Sequence, residues 1–222
     1  MRFLLKSLPL LCILLCLAAK ASDIRSPDVH ALAQAVDDHY NHLRSLQSDF
    51  KENYRGAGVE RAESGTLWLK KPGKMRWEYR SPKEKLFVSD GKDAWFYLPE
   101  DRQVRKTSVR KLDDLRSPLA LLLGKTKLEK ELQGLSLAPD KQPDAPSDLV
   151  LRGIPKFMEH VSEVLLEVTP DHQISRIVIE QPDGSITEYR FTNQKENVEV
   201  ADQQFRFAAP AGVEMVEGDL GN

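Results

Sequence analysis

Two histidines three residues apart, His39 and His42, are the first residues whose spacing could do chemistry. On a helix that spacing puts both imidazoles on a similar face, with Asp38 beside them. A zinc site would need at least one more ligand from elsewhere in the chain. His30, His160 and His172 are isolated in sequence. Histidines on the surface near a helix C-terminus account for the pair without a metal. Aspartates and glutamates are plentiful but scattered, as solvent-facing strand residues are. There is no G-x-S-x-G elbow, no glycine-rich phosphate loop and no H-E-x-x-H. Catalysis by carboxylates alone is the one enzymatic reading left. The expectation is a protein that is not an enzyme, with no catalytic residue, metal or cofactor.

The stretch KKPGKMRWEYRSP, residues 70–82, mixes the cations Lys70, Lys71, Lys74, Arg76 and Arg80 with Trp77 and Tyr79. Basic residues interleaved with aromatics can bind single-stranded nucleic acid. They can equally form one β-strand with a wet face and an apolar face. Alternation separates Met75, Trp77 and Tyr79 from Lys74, Arg76, Glu78 and Arg80. The charge balance of the whole chain favours the strand.

That balance depends on the N-terminus. Arg2 and Lys6 precede an apolar run from Leu8 to Ala19, followed by Ala19-Lys20-Ala21. This is the pattern of a secretory signal peptide, residues 1–21, cleaved after Ala21. The run is too short to span a membrane comfortably. Both cysteines, Cys12 and Cys16, lie inside it, so the mature chain has no disulfide, thiol nucleophile or cysteine metal site. Cys16 follows Leu15 rather than a small residue, which argues against a lipid anchor. Removing Arg2, Lys6 and Lys20 takes the formal charge from −2 to −5. A mildly acidic exported protein is a poor nucleic-acid binder.

The remaining residues, 22–222, read as one unit. Ser26-Pro27-Asp28 is a helix start, and Val29, Leu32, Ala33, Val36, Tyr40, Leu43 and Leu46 keep helical spacing, predicting one amphipathic helix over 27–46. From Asp49 the period becomes two. Strands are expected near 49–56, 63–71, 74–80, 84–89, 93–98 and 103–109. Pro72-Gly73 and Asp90-Gly91 mark turns between them. A second cap-plus-proline signature at Ser117-Pro118 opens the apolar segment LALLLG, predicting a short helix over 117–124, with another helical turn or two in 127–133. Strands then return near 134–138, 147–154, 160–169, 173–181, 185–194 and 203–209, with 139–146 a polar loop. The fold class is mainly β with some α: an antiparallel sandwich or barrel whose few helices can only cap one face.

Four neighbouring strands offer apolar residues of shared parity. Leu67, Leu69 and Lys71 alternate with Thr66, Trp68 and Lys70; Leu86 pairs in parity with Val88, and Trp95 with Tyr97, leaving Phe96 opposite. The order of these segments resembles the periplasmic outer-membrane lipoprotein carrier family, LolA. Gly65 to Pro72 matches a G-x-[LF]-x-x-x-[RK]-P segment, Arg76-Trp77 the following strand, and Val88 to Pro99 a V-S-D-G-K-x-x-W-x-Y-x-P hairpin. The ending FRFAAPAGVEMVE, 205–217, is similar to the family's F-x-F-x-x-P-x-G-V.

The resemblance implies an incomplete antiparallel β-barrel of about 11 strands, covered by a lid of short helices over an apolar cavity. It implies a periplasmic chaperone without cofactor. Such a carrier takes acylated lipoproteins released by an inner-membrane ABC transporter and delivers them to an acceptor lipoprotein at the outer membrane. Burying a chain contributes about 0.8 kcal/mol per CH₂, so a 16-carbon chain is worth about 12 kcal/mol, and free passage through water is excluded. The expected cavity wall is Leu67, Leu69, Met75, Trp77, Tyr79, Leu86, Val88, Trp95 and Tyr97. The lid is Leu119, Leu121, Leu122 and Leu123, covering what would otherwise be an exposed apolar patch. Lys71 stands where the family commonly has arginine, and is expected to latch onto backbone carbonyls around Leu121–Gly124. The protein is expected to be monomeric and to bind no nucleic acid. Other readings on the same fold are a periplasmic lipid or glycolipid carrier and a lipoprotein sensor; an exported hydrolase is the reading from another class.

Overall fold

The computed structural model describes residues 28–109, 127–156 and 158–217. The expected signal segment 1–21 and lid segment 117–124, with Leu119, Leu121, Leu122 and Leu123, lie outside the described residues.

Helix α1 runs Val29–His42, shorter than the 27–46 that periodicity suggests. Asp28 caps it, its carboxylate accepting from His30 N (2.9 Å) and Ala31 N (3.5 Å). It ends because Leu43 turns extended. The next residues are claimed by other partners: Arg44 O accepts from Lys71 N and Arg44 N donates to Asn197 Oδ1, both at 2.9 Å. Leu43 and Leu46 stay buried in the same core as the helix, but Leu46 reaches it from a strand. Tertiary pairing outweighs helical periodicity here.

Twelve strands form one sheet. They are β1 (Ser45–Gly56), β2 (Val59–Lys70), β3 (Lys74–Ser81), β4 (Lys85–Asp90), β5 (Asp93–Leu98), β6 (Gln103–Ser108), β7 (Leu132–Leu137), β8 (Leu149–Pro155), β9 (Glu163–Val168), β10 (Ile174–Glu180), β11 (Ile186–Glu196) and β12 (Glu214–Glu217). The one-turn helix α2 (Leu128–Glu131) precedes β7. The spatial order β12-β6-β5-β4-β3-β2-β1-β11-β10-β9-β8-β7 is two meanders joined where β1 pairs antiparallel with β11. Among the described residues the sheet does not close, and β12 and β7 are its two edges.

The C-terminal region departs from the pattern. Instead of a strand over 203–209, a 3₁₀ turn spans Asp202–Phe205, and β12 follows, pairing parallel with β6. Phe205 is fully buried, so the apolar residues there serve packing rather than ladder formation.

One face of the sheet carries the main core. Ala33, Val36 and Tyr40 of α1 pack with Leu46 and Phe50 of β1, Leu67 and Leu69 of β2, Trp77 of β3, and Leu151, Leu166, Ile174, Ile177 and Phe191 of the second meander. Two buried contacts fix the helix. Tyr40 Oη accepts from Ile174 N at 2.9 Å, beside the point where β10 slips register against β9. The Asp37 carboxylate accepts from Leu128 N at 3.1 Å and so tethers α2. On the reverse face Ala138, Val150, Leu165 and Val178 form a second, smaller core. The polar loop folds over that face, with Asp144 accepting from Arg190 Nε at 2.7 Å.

Gly65 allows β2 and β3 to meet. A Cβ there would sit 1.9 Å from Glu78 O, at the bulge between Ser64 and Gly65.

Candidate functional site: the helix-covered face

The face beneath α1 is an apolar wall. Register places Leu67 opposite Trp77 and Leu69 opposite Met75, so those four expected wall residues share it with Tyr79. Leu67, Leu69 and Trp77 are buried; Met75 and Tyr79 are half-buried. Trp77 sits within an aromatic group spanning three strands. Its ring lies 4.7 Å from Phe50, 5.9 Å from Tyr189 and 6.3 Å from Phe191, all edge-on, and Tyr79 lies 4.8 Å from Phe50. Edge-on pairs at these distances add to the energy of burial and hold the ring positions.

Four expected wall residues are not on this face. Trp77 lies opposite Phe87, and Phe87 opposite Phe96, while Leu86 pairs with Tyr97 and Val88 with Trp95. Leu86, Val88, Trp95 and Tyr97 therefore point to the reverse side, and Phe87 and Phe96 take their place. Both parities are apolar over LFV and WFY, so alternation alone could not choose between them. The reverse side is apolar because the C-terminal segment covers it. Phe207 packs on Trp95 (6.1 Å) and Tyr97 (5.7 Å).

The cations of 70–82 divide in the same way. Lys70 Nζ donates to Val200 O and Asp202 Oδ1, both at 2.7 Å; Lys74 Nζ lies 3.0 Å from Asp202 Oδ2; Arg76 donates to Gln204 O at 3.2 Å. These bonds hold the Asp202 carboxyl down at about 2. The basic strip clamps the chain's own C-terminal segment.

Among the described residues the Lys71 ammonium donates to the backbone carbonyls of Tyr40 and Asn41 in the last turn of α1 (2.9 Å to Asn41 O). Its expected partners around Leu121–Gly124 lie outside the described residues. A helix C-terminus offers orphaned carbonyls and partial negative charge, which suits a cation. Partial burial lowers the Lys71 pKa.

His39, His42 and His172 line one pocket beside the end of α1. His39 pairs with Glu196 at 2.7 Å, and the His42 ring bonds Asp38 O at 2.6 Å. Among the described residues no group of three or more His, Cys, Asp or Glu side chains could hold a metal ion.

Phe50, Phe87, Phe96, Tyr189 and Phe191 are wall residues that the sequence pattern does not single out. For Tyr189 and Phe191 the missing information is the β1–β11 pairing, which sets Phe191 opposite Phe50 across 141 positions of chain.

The model of the outer membrane lipoprotein carrier protein LolA fits residues 41–208. The chain belongs to the LolA family. An outer-membrane lipoprotein carrier protein from Nitrosospira multiformis is 30% identical over 178 residues, covering 78% of this chain and 82% of the relative. The Chromobacterium violaceum carrier is 29% identical over 214 residues, covering 91% and 95%. The LolA-type fold also appears at much lower identity. An uncharacterized conserved protein from Thermus thermophilus aligns with a TM-score of 0.52 at 14% identity, over 85% of this chain and 98% of that one. The Mycobacterium tuberculosis lipoprotein LppX aligns with a TM-score of 0.52 at 14% identity, over 79% and 100%.

Proposed function

We propose that this chain is a periplasmic carrier that holds the acyl chains of lipoproteins against the wall beneath α1 and delivers the cargo from the inner to the outer membrane. The observation that carries the reading is the continuous apolar face from Leu69 through Trp77 to Phe87, lined by half-buried Met75, Tyr79, Phe87 and Tyr189 at its margin. Family membership supports it, because the relatives that match over most of their length are named outer-membrane lipoprotein carriers. So does the open sheet, whose edge strands β12 and β7 are not paired with each other. The lid segment 117–124 would cover the wall in the empty state. An inner-membrane lipoprotein-releasing ABC transporter would load the carrier, and an outer-membrane lipoprotein would receive the cargo.

The test is release of a lipoprotein from spheroplasts. Purified mature protein, added in buffer without detergent, is expected to bring an outer-membrane lipoprotein into the soluble fraction as a one-to-one complex. If the lipoprotein stays with the membrane at all protein concentrations, the carrier reading fails.

A further inference from the structure

At one end of the apolar wall the side chains become polar while remaining buried. Glu52 of β1 lies directly opposite Glu63 of β2, and both are almost fully buried, at 9% and 7% exposure. Tyr79 Oη donates to Glu52 Oε2 at 2.8 Å, and Tyr189 lies opposite Glu52 on β11. Lys85, opposite Tyr79 on β4, bonds Glu63 and lies over the Tyr79 ring at 4.4 Å. Arg61 Nε stands 3.9 Å from Glu63. Five adjacent strands thus bring two carboxylates, an ammonium and two phenols to one place. The group touches the aromatic wall directly, since Tyr79 packs on Phe50 and Tyr189 stacks on Phe191.

Stability does not account for this arrangement. Like charges directly opposite each other on neighbouring strands are destabilising. Buried ion pairs are often matched or bettered by apolar residues of the same size. Burial pushes the Glu52 carboxyl above its ordinary value, which marks the cost. Meanwhile Tyr79, Tyr189 and Lys85 keep part of their surface exposed, and the ammonium has three donors to place. A polar group that lies at the end of an alkyl chain on the wall would find donors and acceptors here.

We propose that Tyr79, Lys85, Glu52, Glu63 and Tyr189 bind the polar junction of the acylated cargo, the ester carbonyls and amide where the chains meet the lipidated terminal residue. Lys85 donates to a carbonyl oxygen, and the carboxylates accept from the amide N–H. The chains then run from this end toward Leu67 and Leu69 under α1. The inference rests on the carrier reading and adds an orientation to it.

Two probes separate the junction from the chains: a synthetic S-dipalmitoylglyceryl-cysteinyl peptide and the apolar dye N-phenyl-1-naphthylamine. Lys85→Met and Glu63→Gln are expected to weaken lipopeptide binding roughly ten-fold, as loss of a charge-assisted or buried hydrogen bond does, with dye binding held within about two-fold. Glu63→Gln keeps the side-chain volume, so it carries the comparison if Lys85→Met folds poorly. Lipopeptide affinity that is unchanged, or that falls in parallel with dye affinity, overturns the proposal while leaving the carrier reading intact. Wild-type protein that binds neither probe overturns both.

Discussion

The ammonium of Lys71 lies 2.9 Å from the carbonyl oxygen of Asn41, bonding the turn after β2 to the last turn of α1. A second bond to Tyr40 O completes the contact. The helix that covers the wall is thereby held at its C-terminus by the strand pair that builds the wall. Lys71→Leu is expected to cost about 1.5–3 kcal/mol of stability, the range for a hydrogen bond to a charged group. It should also speed amide exchange in Tyr40–Arg44, while Lys71→Arg preserves both. Unchanged exchange there in Lys71→Leu would remove the latch role.

Tyr40 fixes the same helix from its buried side. Burial pushes its phenol far above the usual value, so it stays a neutral hydroxyl at all working pH. Tyr40→Phe leaves Ile174 N without its acceptor and is expected to cost about 1–3 kcal/mol in chemical denaturation. Ile174 N–H should then lose protection against hydrogen exchange before its neighbours do.

The two faces of β5 make opposite predictions. Phe96→Glu puts a charge on the wall side and should weaken binding of a dipalmitoyl lipopeptide roughly ten-fold or more. Tyr97→Glu alters the reverse side, under Phe207. It should leave that affinity within about two-fold, yet expose the C-terminal segment to limited proteolysis. If Tyr97→Glu is the variant that loses the lipopeptide, the assignment of faces is wrong.

Stability should respond to pH through Glu52. Its folded carboxyl is raised above 4.5, chiefly by burial, with Glu63 adding to the rise and Tyr79 and Lys85 opposing it. The folded state then holds the proton more tightly than the unfolded chain. Its contribution is fully present below pH 4.5 and is lost as pH rises through the folded value. Glu52→Gln should therefore melt at a higher temperature than the wild type near neutrality, with the gap closing as pH falls below 4.5. A gap that widens in acid would contradict the sign.

Much of the wall is legible in the sequence. Met75, Trp77 and Tyr79 alternate with Lys74, Arg76, Glu78 and Arg80, so only one parity of that strand could face a core. The motif around Val88 to Pro99 names the family, although parity there points its own aromatics to the wrong side. Over LFV and WFY both parities are apolar, because one is covered by α1's core and the other by Phe205 and Phe207. The end of the helix escapes a local reading for a related reason. Leu43 and Leu46 keep helical spacing, yet Leu46 is a strand residue whose pairing with Leu69 no local pattern reports.

By itself the sequence determined most of the strand segments, where most turns fall, and that the chain is a LolA-type protein. Those properties follow from period-two alternation and from turn residues, which act over a few positions. Only the tertiary structure decided what each face meets. It set Phe191 against Phe50, gave Lys71 the α1 carbonyls, turned Lys70, Lys74 and Arg76 onto Asp202 and Gln204, and gathered Glu52, Glu63 and Lys85 at one end of the wall. Such contacts join residues far apart in the chain, and register sets them one residue at a time.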